Sequence, residues 1–317
     1  MPQPAQDTPL STHATEKTGH GRVFKKDAPA LLTVLRNDFV GEQQFEASSD
    51  APAFKQETRH LVLDLKGYDD IVYPAGHSLG IIPFDPELND FNPKKFRLYS
   101  IASSLWAPEV LNKRTVSLCV TRVVGPHEEK PGTLFEGLCS NYVCNLKPGD
   151  TVRVTGPSGA SRFLLPEKAQ DFNYIFIANG TGIAPFRAML RELDAQKKID
   201  PVQAVWLFFG FRFAKYFTQY QAEIAELQSR HPNFYFRPAI SHEAPDQKYF
   251  VQHALWDNKD GVKNVLPLTN TRLYLCGGKA MQTGVEGTLK QIAEELPGWD
   301  LPVFLDKKGL HYFPEVY

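Results

Sequence analysis

The stretch YIFIANGTGIAPFRAML, Tyr174–Leu190, decides the fold. Its first five residues form an apolar run with the length of a buried strand, and the part after Pro185 has the spacing of an amphipathic helix. Gly180 and Gly182 stand between the two, where a glycine turn lets a phosphate approach the amino end of the helix. The third glycine of the common dinucleotide fingerprint is missing, so a plain tight turn is the alternative.

The same alternation continues toward the end of the chain. Further apolar runs read VWLFFG, FYFRPAIS and RLYLCGG, and amphipathic segments such as YQAEIAELQSR and MQTGVEGTLKQIAEEL lie between them. Strands alternating with helices predict a Rossmann-like α/β domain with a mostly parallel sheet. The last of these strands ends at Cys276, before Gly277 and Gly278, which puts a cysteine at the ligand-binding edge of the sheet. The alternative is that Cys276 is simply a small buried apolar residue.

The half that precedes this stretch has a different pattern. From Ala30 to about Pro166, short β-type runs such as HLVLDL, RLYSIAS and DTVRVTG are separated by clusters of Gly, Pro, Asn and Asp. This pattern predicts an antiparallel barrel or sandwich, with one short helix near 137–146. The change of pattern places a domain boundary between Pro166 and Asp171. A length of 317 residues suits two domains, at roughly 150 residues each.

Charge and composition exclude several classes of protein. The chain has 35 Lys and Arg against 36 Asp and Glu, a net charge of −1, which argues against nucleic acid as its main partner. No apolar run approaches the roughly 18 residues of a transmembrane segment, and the first 22 residues lack the apolar centre of a signal peptide. Four cysteines indicate a reducing compartment. Cys139 and Cys144 have the spacing of part of an iron–sulfur site, but the third cysteine that such a site needs is missing.

Two other segments have sharper and plainer interpretations. Residues 1–22 are rich in Pro, Thr and Ser and are predicted to be a disordered tail, with a transit peptide as the alternative. The pentapeptide GHSLG, with Ser78 at its centre, fits the nucleophile elbow of a hydrolase. Pro83 and Pro86 forbid the helix that this elbow needs after the serine, so a turn that enters a strand is favoured.

Seven motifs, in order along the chain, resemble those of the plant-type ferredoxin–NADP⁺ reductase family. They are RLYSIAS at Arg97, LCVTR at Leu118, GLCSNYVCNLKPGD at Gly137, TGPSG at Thr155, GTGIAPFR at Gly180, CGGKAM at Cys276 and EVY at Glu315. The similarity extends from about Phe24 to Tyr317. It implies an FAD-binding antiparallel β-barrel domain over 23–167 and a Rossmann-like NADP(H)-binding α/β domain over 168–317.

The resemblance assigns roles on the flavin side of the site. Arg97 would pair with the FAD pyrophosphate, Tyr99 would pack on one flavin face, and Ser100 would form a hydrogen bond near N5, the atom that accepts hydride. Cys139 and Ser140, at the start of a helix, would offer N–H groups to the phosphates.

The resemblance also assigns roles on the nicotinamide side. Thr181 would lie near the diphosphate of the nicotinamide nucleotide, and Cys276 would face the nicotinamide C4. Glu315 would provide a polar contact and relay a proton. Tyr317 would stack on the other flavin face, so nicotinamide would have to displace it. The implied catalytic residues are Ser100, Cys276, Glu315 and Tyr317. The implied cofactor-binding residues are Arg97, Leu98, Tyr99, Ser100, Cys119, Val120, Thr121, Leu138, Cys139, Ser140, Gly180, Thr181, Gly182, Phe211, Arg212, Ser241, His242, Lys248, Gly277, Gly278 and Tyr317.

The chain departs from the family pattern at several positions. At the 2′-phosphate site a histidine, His242, follows Ser241 where the family has arginine, while Lys248 keeps one cation. This weakens the expected preference for NADP(H) and leaves NAD(H) open. On the strand near the FAD adenine, Thr121 and Gly125 replace a lysine and a tyrosine. Asn179 stands where the family usually has threonine.

The resemblance implies hydride exchange between NADP(H) and FAD, coupled to one-electron exchange with ferredoxin or flavodoxin. Two alternatives are the reductase component of an oxygenase and a degenerate flavin-fold protein that only binds or regulates. Because ferredoxin and flavodoxin are usually acidic, four lysines are candidates for a docking patch: Lys94, Lys95, Lys307 and Lys308. The alternative is that these lysines are merely solvated. The expected location is the cytoplasm, or an organelle stroma or matrix if residues 1–22 are a transit peptide.

Overall fold

The computed structural model describes residues 17–18, 21–48, 51–214, 219–243 and 248–317. Strand β1 (Lys17–Thr18) pairs antiparallel with strand β2 (Gly21–Arg22) at the end of the predicted tail. The rest of that tail, residues 1–16 with 19 and 20, lies outside the described residues.

Antiparallel strands build the N-terminal half, as the sequence predicts. In chain order its elements are β3 (Ala30–Phe45), β4 (Phe54–Asp64), β5 (Ser78–Ile82), β6 (Phe84–Asp85), β7 (Asp90–Phe91), β8 (Arg97–Ser100), β9 (Thr115–Thr121), β10 (Val124–Pro126), β11 (Leu134–Glu136), α1 (Leu138–Asn145) and β12 (Thr151–Ser158). One sheet has the order β8-β5-β12-β3-β4-β9. Ile101, directly after β8, bridges to Leu118 of β9, so the two ends of the sheet meet and close a barrel.

The barrel core follows from the period of two in its strands. At the start of β3, Ala30, Leu32 and Val34 are buried while Leu31 and Thr33 are exposed, as expected of a strand with one face toward a core. Helix α1 covers part of the barrel and lies within the range 137–146 that the sequence indicates.

A parallel sheet with helices on both faces builds the C-terminal half. Its elements are β13 (Asn173–Asn179), α2 (Ile183–Ala195), β14 (Val205–Phe211), α3 (Gln219–Arg230), β15 (Phe234–Ile240), α4 (Val251–Asp257), α5 (Lys259–Lys263), β16 (Thr271–Gly277), α6 (Lys279–Glu294), α7 (Leu301–Phe304) and β17 (Tyr312–Val316). The strand order is β15-β14-β13-β16-β17, and every pair is parallel. The order reverses between β13 and β16, which is where open α/β sheets bind ligands.

The two halves share a hydrophobic core. Helices α2 and α3 pack on one face of the parallel sheet, and α4 and α6 pack on the other. The cluster under α2 joins Phe186 and Met189 of that helix to Ala102 and Cys119 of the barrel half. The two halves are therefore in direct apolar contact beside the reversal point of the sheet.

The structure also shows whether Ser78 lies in the nucleophile elbow of a hydrolase. Ser78 is the first residue of β5, and it pairs with Ser100 of β8. A strand follows this serine instead of the helix of a nucleophile elbow, so the hydrolase interpretation is excluded. In the described part of the chain, none of the helices is both long and apolar enough to cross a membrane.

Candidate active site

A cleft of about 1180 Å³ lies along the barrel and reaches the parallel sheet at Thr181 and Tyr317. It brings together many of the residues that the sequence predicts to bind cofactors. Those that line it are Arg97, Leu98, Tyr99, Ser100, Cys119, Val120, Thr121, Leu138, Cys139, Ser140, Thr181 and Tyr317. Three segments that are far apart in sequence, β8, β9 and the start of α1, thus face one space.

Strand β8 forms one wall of the cleft. Its pairing with β5 fixes the register of Tyr99 and Ser100, which are half-buried, while Leu98 before them is exposed. Burial, together with the neighbouring Cys139, raises the pKa of Tyr99. Tyr99 therefore presents a neutral aromatic ring and a protonated hydroxyl to the cleft.

The amino end of α1 meets the middle of the cleft. Gly137 is its N-cap, and no side chain from the described residues caps the helix there. The Ser140 hydroxyl is engaged by the backbone around this helix end: it donates to Gly137 O at 3.0 Å and accepts from Val123 N at 3.0 Å. The backbone N–H groups of the first turn, with the positive end of the helix dipole, suit a phosphate.

Arg122 fixes the position of α1, a role that no pattern in the sequence indicates. Its guanidinium donates to Asn141 Oδ1 at 2.8 Å and to Asn145 Oδ1 at 2.9 Å, both on α1. It also donates to Glu57 Oε1 of β4 at 2.9 Å. One side chain on the loop after β9 thus ties the helix to the barrel wall.

The turn after β13 lies tightly against the end of β16. A Cβ added at Gly182 would lie 2.1 Å from Cys276 O, so only glycine permits this approach. Gly180 has a φ of +51°, and a Cβ there would meet nothing within 4 Å, which leaves open space above the turn. Gly278 N donates to Asn179 Oδ1 at 3.1 Å, so Asn179 joins the two glycine turns.

Cys276 and Glu315 lie opposite each other on the neighbouring strands β16 and β17. Cys276 is buried and Glu315 is half-buried, and burial raises the pKa of each group, with the Glu315 charge as a further cause at Cys276. Cys276 therefore stays a neutral thiol. Glu315 Oε2 is buried without a hydrogen-bond partner among the described residues, so it can accept a hydrogen bond from a ligand.

Tyr317 extends from β17 back across the end of the sheet. Its backbone N donates to Gly277 O at 3.2 Å, and its hydroxyl lies 3.1 Å from Thr181 Oγ1. The ring lines the cleft, and the residue is 68% exposed. Cys276, in contrast, is 1% exposed and is not among the residues that line the cleft.

A second group of predicted residues lies at the ends of β14 and β15, apart from the residues that line the cleft. Ser241 N donates to Phe211 O at 3.0 Å, and His242 N donates to Arg212 O at 2.9 Å. Burial and the charges of Arg212 and Lys248 lower the pKa of His242. The charges of Arg212 and Lys248 thus act on His242 at this end of the sheet, which suits an anionic ligand.

A buried ionic network that the sequence did not reveal joins the two halves behind the cleft. Arg187 of α2 donates to Glu109 Oε1 at 2.8 Å and to Glu223 on α3. His60 of β4 contacts Glu109 at 2.6 Å and the Tyr220 hydroxyl at 2.7 Å. Although burial alone would raise it, the pKa of Glu109 lies well below its usual range because of His60 and Arg187.

These features fit a flavin dinucleotide and a nicotinamide nucleotide. The cleft offers an aromatic ring at Tyr99 and a helix N-terminus at Gly137, and the sheet edge offers the open turn at Gly180 and the unpartnered Glu315 oxygen. Within the described ranges, no group of three or more His, Cys, Asp and Glu side chains could hold a metal ion.

Comparisons with known proteins agree with this arrangement. Residues 176–287 match the model of a family described as an oxidoreductase NAD-binding domain. The chain is 37% identical over 268 residues to a ferredoxin–NADP reductase of Spirulina sp, which covers 83% of this chain and 89% of that one. It is 36% identical over 307 residues to root isozyme 2 of the chloroplastic ferredoxin–NADP reductase of Arabidopsis thaliana, with 92% and 78% covered.

Solved structures show the same fold. A ferredoxin–NADP⁺ reductase from Plasmodium falciparum superposes with a TM-score of 0.68 at 24% identity and covers 94% of this chain and 100% of its own. The same reductase described with 2′P-AMP gives a TM-score of 0.65 at 24% identity, with 93% and 98% covered. The identity to the curated relatives along most of both chains shows that this chain belongs to the ferredoxin–NADP reductase family, a family of oxidoreductases.

Proposed function

We propose that this protein is an FAD-dependent reductase that exchanges hydride with NADP(H) and single electrons with ferredoxin or flavodoxin. In this proposal residues 23–167 hold FAD and residues 168–317 hold NADP(H). The observation that carries it is the shared cleft, in which Tyr99 and Ser100 of the barrel face Thr181 and Tyr317 of the parallel-sheet half. FAD, when bound, supplies the conversion between two-electron hydride transfer and one-electron transfer.

The barrel residues bind and orient the flavin in this proposal. Tyr99 supplies a flat apolar surface for one face of the ring, and Arg97 together with the first turn of α1 neutralises the pyrophosphate. Arg122 keeps α1 in place through Asn141 and Asn145. Ser100, next to Tyr99, supplies a hydroxyl that donates a hydrogen bond near N5.

The sheet-edge residues bind and orient the nicotinamide. The turn at Gly180 and Thr181 receives the diphosphate, and Glu315 accepts a hydrogen bond from the carboxamide through its unpartnered oxygen. Cys276 faces C4 as a neutral thiol, which introduces no charge beside the transferring hydride. Tyr317 occupies the nicotinamide position until the nucleotide displaces it.

The basic residues beyond the cleft set the choice of nucleotide in this proposal. Arg212, His242 and Lys248 bind the 2′-phosphate of NADP(H), and Ser241 orients His242, since its Oγ lies 2.8 Å from His242 Nδ1. Because histidine, unlike arginine, is not permanently charged, the preference for NADP(H) over NAD(H) is smaller than an arginine at position 242 would give, and NAD(H) still binds.

The protein partner docks at the mouth of the cleft in this proposal. Lys95 lines the cleft, and Lys94 beside it is exposed, as are Lys307 and Lys308. Several relatives are described as chloroplastic or cyanelle proteins, which supports a stromal location if residues 1–22 are a transit peptide, with the cytoplasm as the location otherwise.

One purification and two assays test the proposal. The purified protein is expected to be yellow, to release FAD on heating, and to reduce ferricyanide with NADPH faster than with NADH. Addition of ferredoxin and cytochrome c is expected to give ferredoxin-dependent cytochrome reduction. A colourless protein without diaphorase activity would contradict the flavoenzyme proposal, and diaphorase activity without ferredoxin dependence would contradict the partner.

A further inference from the structure

The hairpin of β10 and β11 forms one end of the cleft, beside the amino end of α1. Gly125 lies directly opposite Phe135 in this hairpin, and Gly137 N donates to Val123 O at 2.9 Å, which continues the register. Directly paired residues lie on one face of a ladder, and so do residues two positions apart. Val123, Gly125, Phe135 and Gly137 therefore share a face, and Val123 and Phe135 line the cleft.

Phe135 presents an uncovered aromatic ring on this face. The residue is 50% exposed although it lies in a cleft, and a Cβ added at Gly125 would meet nothing within 4 Å. The cross-strand position, which would normally carry a side chain against the ring, is thus empty space. The His127 ring contacts Phe135 edge to face, with centroids 6.3 Å apart, and supports it from the side.

We propose that the adenine ring of FAD stacks on Phe135, which becomes the residue that holds the adenosine half of the cofactor. This inference rests on the proposed function, because it takes the bound group to be FAD. A dinucleotide with its flavin at Tyr99 and its pyrophosphate at the amino end of α1 must place its adenosine on the other side of that helix end. Phe135 is two residues before Gly137, a strand distance of roughly 7 Å, which an adenosine bridges.

The empty position at Gly125 explains why the aromatic residue stands on β11. A large residue at 125 would occupy the space above the Phe135 ring. The hairpin can therefore present an aromatic ring to a base from position 125 or from position 135, but not from both. An aromatic ring that lies across from a glycine is a recurring way to stabilise a β-ladder. In this chain the same pair leaves one ring face free for a purine, which stacks on aromatic side chains without sequence-specific contacts.

The comparison of FAD with FMN tests the proposal, because FMN lacks the adenosine half. We expect Phe135→Ala to bind FAD about tenfold more weakly than the wild type, a difference of about 1.4 kcal/mol. FMN affinity is expected to be unchanged. FAD release is measured by flavin fluorescence after dilution of the holoprotein, and FMN binding by titration of the flavin-free protein that results.

A second variant restores the platform from the opposite strand. In Gly125→Tyr/Phe135→Ala, the new ring has open space and the larger residue at 135 is gone, so FAD affinity is expected to return toward that of the wild type. The matched control is Phe39→Ala, which removes an aromatic residue that is 49% exposed and lies outside the cleft, and it is expected to change neither affinity.

Two results would overturn the assignment. Unchanged FAD release from Phe135→Ala would show that adenine does not stack there, and an equal loss of FAD and FMN would place the effect at the flavin end or in the hairpin as a whole. If the wild-type protein bound FMN but no FAD, the proposed cofactor itself would be wrong, which is a separate outcome from a Phe135 effect.

Discussion

The hydroxyl groups of Tyr317 and Thr181 lie 3.1 Å apart, although 136 residues separate them in the chain. The contact connects the residue after β17 to the glycine turn after β13. A single hydrogen bond of this kind contributes only about 1 kcal/mol, so a nucleotide that binds at the turn can replace it. Under the proposed function, we expect Thr181 to hold Tyr317 before the nucleotide binds and to contact the diphosphate afterwards.

Removal of the Tyr317 ring tests this arrangement. We expect Tyr317→Ser to increase the affinity for NADP⁺ and to change the flavin absorption spectrum, because the ring no longer competes for the flavin face. Tyr317→Phe is the control, since it keeps the ring and loses only the hydroxyl, which contacts Thr181 Oγ1 and Asn179 O. Titration of NADP⁺ by difference spectroscopy measures both quantities. Unchanged affinity and spectrum in Tyr317→Ser would contradict stacking.

Ser100 is expected to act on the hydride-transfer step. Loss of one preorganised hydrogen-bond donor at a reacting centre typically costs a factor of about 10² to 10³ in rate, so Ser100→Ala should slow flavin reduction by NADPH by that factor while FAD stays bound. Stopped-flow absorption at the flavin band measures the step. Ser158→Ala, an exposed serine at the end of β12, is the control, and a normal rate in Ser100→Ala would rule out the role.

His242 is expected to make the preference for NADPH depend on pH. The pKa of His242 is lowered by burial and by the charges of Arg212 and Lys248, and a bound 2′-phosphate would raise it by attracting the proton. NADPH affinity should therefore be highest at pH values where His242 is protonated, and it should fall as pH rises through that pKa. NADH affinity should change much less.

Binding measured from pH 5.5 to pH 8.5 for both nucleotides tests the role of His242, and His242→Gln is the comparison. Because a phosphate monoester itself titrates near pH 6, only the difference between wild type and variant reports on the histidine. The ratio of NADPH to NADH affinity should depend less on pH in His242→Gln. Equal slopes in the two proteins would remove His242 from the 2′-phosphate site.

Lys94 and Lys95 are expected to steer an acidic protein partner. They lie in the short helix Pro93–Lys95, which leads directly into β8 and the mouth of the cleft. Reversal of both charges in Lys94→Glu/Lys95→Glu should lower the association rate with ferredoxin about tenfold or more at low salt, and the deficit should shrink at high ionic strength. Ferricyanide reduction should stay normal.

Lys197→Glu is the control for the docking lysines. Lys197 is exposed and follows α2, at the opposite edge of the sheet from the cleft. Its substitution should leave the ferredoxin rate unchanged. If the two variants slowed ferredoxin reduction equally, general charge rather than a local docking surface would explain the effect.

The buried pair of Arg187 and Glu109 is expected to stabilise the folded chain. Arg187→Ala removes the buried guanidinium that pairs with Glu109 while His60 stays in contact with that carboxylate, so the free energy of unfolding should fall by about 3 kcal/mol, measured by urea denaturation. The pKa of Glu109 is lowered in the folded state, so its contribution is present above the unfolded carboxyl pKa of about 4.3 and is lost as pH falls.

Glu109→Gln tests the sign of this pH dependence. The stability difference between wild type and Glu109→Gln should be largest near neutral pH and should shrink on acidification. Glu136→Gln, an exposed glutamate at the end of β11, is the control and should show no such trend. A stability gap that grew toward acidic pH would contradict the assignment.

The fold could be predicted from the sequence because most of its elements are indicated by residue patterns within a short stretch of chain. The run from Tyr174 to Leu190 contains a complete strand, turn and helix, and the parallel sheet follows from its repetition. The residues on the cleft wall could be identified for a similar reason, since Arg97–Ser100 and Gly137–Ser140 are short contiguous motifs. The roles inferred for them stay predictions that the experiments above test.

Contacts between segments that are distant in the chain could not be predicted from the sequence. Nothing in the residues around Glu109 or Arg187 indicates that these two side chains meet, because each stands alone among unrelated neighbours. The register that places Glu315 beside Cys276 is likewise set by strand pairing, which a single sequence does not specify. The sequence does not indicate a role for Phe135, because its partner in the hairpin is a glycine, which has no side chain to form a recognisable pair with it.

The apolar cluster that Ala102 and Cys119 share with Phe186 and Met189 has a consequence for how this protein can change. This contact between the two halves is a closely packed seam, so a larger side chain on one side requires a smaller side chain on the other. A chimera that combined this barrel with the nucleotide-binding half of a relative would therefore be stable only if the two seams matched in shape. The barrel and the parallel-sheet half are therefore expected to change together at these four positions.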